Sequence, residues 1–232
     1  VLEAGGPSVS LKGFERAVAQ CARVGHRRAN PRAMPAPIPQ ALLQQKKTVA
    51  LARWLLGKHL VRRHPDGRVE ARMITETEAY DGERDLACHA RVGRTPRTEV
   101  MYAAGGVWYV YLCYGVHEML NLVVGPQDWP AAILIRGVEG AAGPGRLTRV
   151  LHIDRALNRT TACDPDGALW IEDRGVKVPS RAIRASPRVG VEFAGPIWAA
   201  KPWRFELIPP ELPPVTHAPR RLKSRQDPSR AG

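Results

Sequence analysis

From residue 48 onward the apolar positions fall first at helical and then at strand spacing. In "KKTVALARWLLG", Val49, Ala52, Trp54, Leu55 and Leu56 lie near one helical face, and Gly57 ends the run. "KHLVRRHPDGRVEARMITETEAY" then reads as a hairpin turned by Pro-Asp-Gly. In its second strand Val69, Ala71 and Met73 alternate with Glu70 and Arg72. Continuing that two-residue period puts Glu76, Glu78 and Tyr80 on one common face. "GVWYVYLCYG", "HEMLNLVVG" and "AAILIRGVE" are further strands, separated by Gly, Pro and Asp. "VGVEFAGPIWAAKPWRFEL" reads as a strand, an irregular turn and a closing strand. Strands outnumber helices and no β-α-β alternation repeats, which predicts a single α+β domain on a mostly antiparallel sheet.

Composition changes this picture at the two ends. The leader, residues 1–42, and the tail, residues 209–232, are rich in Pro and Arg and lack periodicity, so both are expected to be disordered around a folded domain at 43–208. Residues 1–48 carry eight Lys/Arg against two acids, and residues 209–232 five against two. The remainder therefore holds only +4 of the total net charge of +13. Such an excess suits a nucleic-acid partner through phosphate attraction, although basic tails alone would give the same total. No apolar run is long enough to span a bilayer. Cys21, Cys88, Cys113 and Cys163 show no C-x-x-C spacing, which points away from a zinc knuckle or a disulfide framework and towards reduced thiols. An intracellular protein is expected, cytoplasmic and nucleoid-associated in a bacterium.

Candidate chemistry concentrates in two stretches. "ITETEAYDGERDLACHA" gathers carboxylates in an otherwise basic chain. Asp81, Glu83 and Asp85 read as solvated turn residues, and Glu76 stays undecided. Strand pairing would immobilise Glu78 beside Tyr80, as general-base activation of water requires; taken alone, an ion pair at a sheet edge explains Glu78 as well. "WYVYLCYGVHEMLN" holds four aromatics in seven residues, which core packing could explain. Tyr109 and Tyr111 share one face, whereas Tyr114 stands at a strand end before Gly115 and points elsewhere. Tyrosine faces suit base stacking, at roughly 1–3 kcal/mol per base. Leu134 and Arg136 share a strand face, and Glu78 is the obvious partner for a buried Arg136.

In order, E-T-E-A-Y, a His nine residues after the Tyr, G-R-T-P-R, G-x-W-Y-V-Y-x-x-Y-G-x-H-x-x-x-N, A-x-L-I-R, G-P-G-R-L, "SPRVGVEFAG" and "KPWRFEL" resemble the alkyladenine (3-methyladenine) DNA glycosylase family across about residues 48–208. The resemblance implies a monofunctional, monomeric base-excision enzyme with no cofactor and no metal. It implies a curved sheet with flanking helices and a protruding hairpin that enters duplex DNA. Carried over by motif, Glu78 activates water and Arg136 positions it. Tyr80, His89 and Tyr111 wall the flipped base, and Asn121 disfavours the 2-amino group of guanine. Tyr114 intercalates, with Leu134 beside it.

The chain departs from the family after the arginine strand. The family continues R-A-x-E-P into a helical insertion, whereas "RGVEGAAGPGRL" runs straight on, with Gly137 and Gly140 in place of Ala and Pro. Two rival readings fit the same residues. One is a catalytically weak reader of damaged DNA on the same fold, and the other is a hydrolase of free nucleosides.

Overall fold

The computed structural model of the protein describes residues 35–208. In chain order its elements are β1 (Ala36–Pro37), α1 (Gln40–Leu43), α2 (Thr48–Trp54), β2 (His59–Arg63), β3 (Val69–Asp81), β4 (Trp108–Cys113), β5 (His117–Val124), β6 (Ala131–Val138), β7 (Ala141–Ala142), α3 (Pro144–Val150), β8 (Leu169–Asp173), β9 (Ile183–Ser186), α4 (Gly195–Ala199) and β10 (Arg204–Leu207). Short 3-10 turns, among them His89–Val92 and Glu192–Ala194, lie between them. The strands join in one antiparallel sheet ordered β1-β8-β2-β3-β6-β5-β4, with β10 pairing both β3 and β9. The α+β architecture on an antiparallel sheet is as expected.

The 13-residue β3 organises the sheet because it changes partners along its length. Val69–Met73 pair with β2, and Ile74–Asp81 pair with β6. Register shifts between Ile74 and Thr77 mark a β-bulge. A bulge adds a residue to one strand and moves everything beyond it to the other face. Thus Ile74 and Ala79, an odd number of residues apart, both enter the main apolar core. The two-residue period breaks at this slip, but beyond it Glu76, Glu78 and Tyr80 share the face away from that core, as expected.

That core is filled from α2, whose Leu51 and Ala52 are buried together with Leu55 and Leu56 just past its end. Thr77 is anchored to the same helix, its hydroxyl donating to the Ala52 carbonyl at 2.8 Å. Each fully buried Leu contributes about 1.5–3 kcal/mol through burial, so α2 holds the back of β3 in place. The β2–β3 turn closes as the sequence predicts, His64 N–H donating to Arg68 O at 2.8 Å. The β4–β5 hairpin turns through Tyr114 and Gly115 at φ 50° and 70°. This left-handed pair projects Tyr114 outward, 95% exposed.

Several elements carry no strong periodic signal in the sequence: β8, which pairs β1 and β2, together with β9 and α3. One expectation is corrected. "VGVEF" is not a strand; it forms the 3-10 turn Glu192–Ala194 leading into α4. Gly190 and Gly195, at φ 72° and 77°, interrupt an extended path, and Pro196 starts the helix. Within the expected leader, residues 36–42 are packed: Ala36 and Pro37 pair with β8, and Ile38 and Leu42 are buried. The rest of the leader and the tail, with Cys21, lie outside the described residues. Cys88, Cys113 and Cys163 are free thiols. No helix among the described residues is long and apolar enough to cross a membrane.

Candidate active site

Directly opposed residues on neighbouring strands share a sheet face, and one such row crosses five strands. Arg204 on β10 opposes Glu78 on β3, which opposes Leu134 on β6. Leu134 opposes Asn121 on β5, which opposes Tyr109 on β4. Four of these residues, all but Arg204, line a cavity of about 300 Å³, together with Tyr80, His89, Tyr111 and Arg136. Sheet pairing thus brings together residues far apart in the chain. Tyr114 stands at the cavity's rim from the β4–β5 turn, and Phe193 from the 3-10 turn opposite. Leu134 is buried in the wall and does not protrude.

Glu78 is fully buried. Its Oε1 accepts from the Val189 backbone N–H at 2.9 Å, and its Oε2 from the Tyr80 hydroxyl at 2.7 Å. Arg136 Nη1 lies 3.5 Å from Oε1. Burial pushes the Glu78 carboxyl above the ordinary carboxylate range, against the opposing pull of Arg136, the Val189 N–H and the Tyr80 hydroxyl. Burial by itself would lower Arg136, but Glu78 and Glu76 outweigh it and hold the guanidinium charged. A buried carboxylate of raised basicity, held by two hydrogen-bond donors and paired with a guanidinium, is equipped to take a proton from water.

The walls above it are aromatic. Tyr109 and Tyr111 lie 5.1 Å apart, centroid to centroid, and the His89 ring meets Tyr111 edge-on at 4.7 Å. His89 Nδ1 is 3.0 Å from the Tyr109 hydroxyl. Burial, with Arg97 and Arg91 nearby, depresses His89 to about 4, so this wall is neutral at physiological pH. Asn121 Nδ2 donates to the Tyr109 and Met119 carbonyls at 3.2 and 3.3 Å, which fixes the amide.

The expectation that Asp81, Glu83 and Asp85 are solvated turn residues holds for the exposed Glu83, but Asp81 is half-buried at the end of β3 and Asp85 is not solvated at all. Asp85 is fully buried and holds Arg188 through both carboxylate oxygens, at 2.5 and 2.9 Å. Asp81 accepts from the Thr48 hydroxyl, and Glu83 from the Tyr102 hydroxyl. Arg188 also donates to Ala79 O and lies over the Tyr80 ring at 4.8 Å. It therefore anchors the loop that delivers the Val189 N–H to Glu78. Tyr109, Val189 and Phe193 line the cavity without being expected there from the sequence. For Tyr109 the shared parity with Tyr111 was the available signal; for a backbone N–H no side-chain pattern exists.

The model of the family described as methylpurine-DNA glycosylase (MPG) matches residues 42–141 and 138–208. The match divides where the sequence runs straight on after the arginine strand. Similar proteins include three named as candidate 3-methyladenine DNA glycosylases. That of Psychrobacter cryohalolentis is 42% identical over 192 residues, covering 70% of this chain and 87% of its own. Those of Methanocella arvoryzae and Myxococcus xanthus are each 45% identical, over 180 and 169 residues. They cover 69% of this chain in both cases, and 87% and 84% of their own. The class of protein is thereby defined as a DNA glycosylase, an N-glycosyl hydrolase. Within that class, the chain belongs to the methylpurine-DNA glycosylase family.

Proposed function

We propose that the protein is a monofunctional glycosylase that rotates alkylated or deaminated purines out of duplex DNA and hydrolyses their N-glycosidic bond, opening base excision repair. The observation that carries this reading is Glu78, fully buried, held by two hydrogen-bond donors and paired with Arg136 beneath aromatic walls, with an exposed tyrosine at the rim. The names of the similar proteins support 3-methyladenine among its substrates.

In this reading Tyr114 enters the stack and fills the gap left by the flipped nucleotide, with Leu134 behind it in the cavity wall. Flipping costs a few kcal/mol, least where damage has already weakened the pair. Tyr80, His89 and Tyr111 hold the base, and a purine made cationic by alkylation gains from electron-rich tyrosine faces. The neutral His89 adds no repelling charge. Asn121 occupies the space that the 2-amino group of guanine would need. Glu78 takes a proton from a water positioned by Arg136, and the water oxygen bonds to C1′. The C1′–N bond breaks with its electron pair leaving on the purine; a cationic alkylated base departs neutral, and a deaminated base departs as an anion that takes a proton from water. The enzyme works as a monomer without a cofactor and leaves the DNA backbone intact.

The test uses defined duplexes carrying 3-methyladenine, 7-methylguanine, hypoxanthine or ethenoadenine. Base release is expected with strand breakage only after alkali, and Glu78→Gln is expected to bind the damaged duplex without releasing base. Wild-type-like release by that variant would sink the assignment, and a wild-type protein that binds but never releases base would favour a damage reader.

A further inference from the structure

A line of alternating charges runs from the protein surface into the active site. Arg184, 63% exposed in its side chain, contacts Glu206 at 3.2 Å, and Glu206 accepts from Arg204 at 2.7 Å. Arg204 Nε donates to Glu76 Oε1 at 2.6 Å, and Arg136 Nε donates to that same oxygen at 2.7 Å. Arg136 then reaches Glu78, whose side chain is 0% exposed. Glu76 itself lies outside the cavity lining. An ordinary sheet-edge ion pair would need Glu76 and Arg204 only. Here one carboxylate oxygen holds two guanidinium groups by their Nε edges, and this fixes the plane in which Arg136 presents Nη1 to Glu78.

The backbone opposite is shaped for this carboxylate. Gly137 faces Glu76 across the bulge in β3. A Cβ at Gly137 would lie 3.1 Å from Glu76 Cβ and 3.4 Å from its Oε2. An alanine here, as in the family, would press on Glu76 and ask it to give by a few tenths of an ångström.

We propose that Glu76, held by Arg204, is a positioning residue that shares Arg136 with Glu78 and so sets the basicity of the water-activating carboxylate. This deepens the proposed function and rests on Glu78 being the base. The groups that bear on Glu78 come from every side. Tyr80 and Glu76 lie on its own strand, Arg136 on β6, Tyr111 on β4, and Arg204 opposite on β10. The loop adds the Val189 N–H, with Arg188 stacked on Tyr80, and His89 across the cavity is neutral. Among them Glu76 is the one acid, and its negative charge raises Glu78 while Arg136 lowers it. Removing the charge of Glu76 leaves Arg136 to Glu78 alone, which favours the ionised form. Removing Arg204 leaves Glu76 to compete harder for Arg136 and takes away a positive charge, which disfavours it.

The experiment is single-turnover base release against pH with the full chain. The substrate is whichever duplex lesion the wild type releases fastest among 7-methylguanine, hypoxanthine and ethenoadenine. Glu76→Gln is expected to move the acidic limb down by about one pH unit, the low end of what a neighbouring opposite charge does. Arg204→Gln is expected to move it up. A limb that stays in place in either variant, or that moves up in Glu76→Gln, overturns the proposal. If Glu76→Gln fails to fold, the upward shift in Arg204→Gln decides alone. Base release by Glu78→Gln would instead overturn the proposed function, and this inference with it.

Discussion

The Tyr80 hydroxyl donates to Glu78 Oε2 across 2.7 Å, from two residues further along the same strand. Alternate residues of a strand share a face, so the spacing E-x-Y places a cavity wall and its acid together and ties one to the other. The hydrogen bond also favours the ionised carboxylate, which burial opposes. Tyr80→Phe keeps the ring and loses this bond. A hydrogen bond to a charged group contributes about 1.5–3 kcal/mol, so base release is expected to slow by roughly tenfold to a hundredfold. The acidic limb of the pH profile is expected to move up, because the charged form has lost a donor. A pH–rate profile of the variant checks both.

Stability carries the mark of the same carboxylate. The folded value for Glu78 lies above the ordinary one that an unfolded chain would show. Between the two values the folded protein holds a proton that the unfolded chain has released, so stability falls as pH rises through that window. At neutral pH the ionised Glu78 therefore destabilises the fold relative to an uncharged group. Glu78→Gln is expected to melt at a higher temperature than wild type at pH 7, since Arg136 keeps Glu76 as its partner. The difference should shrink as pH drops below the ordinary carboxylate value. Thermal melts across pH 4–8 measure it.

Tyr114 has the opposite profile, with almost no buried surface to lose. Tyr114→Ala is expected to leave folding stability within about 0.5 kcal/mol of wild type. Stacking contributes roughly 1–3 kcal/mol, so excision from duplex DNA is expected to fall about 5- to 150-fold. The loss should be smaller for a lesion in single-stranded DNA, where no gap in a stack needs filling. Parallel rate measurements on the two substrates check the role. Equal losses on both would remove the wedge assignment.

How much of this was legible in the sequence depends on the range of the contact involved. The β2–β3 turn, the face shared by Tyr109 and Tyr111, and the pairing of Arg136 with Glu78 all followed from local period and charge. The bulge at Ile74–Thr77 did not, because it is a property of pairing with β6 and carries no glycine of its own. Asp85 looked like a turn acid since its partner, Arg188, is 103 residues away. The Val189 N–H that steadies Glu78 comes from 111 residues away, and a backbone donor leaves no trace in side-chain pattern. The places of His89 and Asn121 in the cavity wall follow from resemblance, since local spacing alone marks both as routine polar residues.

The buried pair Asp85–Arg188 offers the sharpest separation of scaffold from chemistry. Both side chains are fully buried. Asp85 also accepts the backbone N–H groups of Asp81 and Ala87, so it fastens the end of β3 to the following turn. Arg188 bridges that turn to Ala79 O and Trp198 O while its guanidinium lies between the Tyr80 and Trp203 rings, at 4.8 and 5.0 Å. Removing one member of a buried ion pair leaves an uncompensated charge and costs about 3–5 kcal/mol. Arg188→Met is expected to destabilise by that amount and also to slow base release, because Val189 loses its anchor beside Glu78. Asp85→Asn with Arg188→Met removes both charges, and its stability is expected to recover in part, giving a coupling of about 1–3 kcal/mol in a double-mutant cycle. Activity should recover far less than stability, since neither replacement restores the salt link that sets the loop. Denaturant unfolding and single-turnover rates on the same four proteins measure the two effects side by side. Activity that returned in step with stability would show the pair to be scaffold alone.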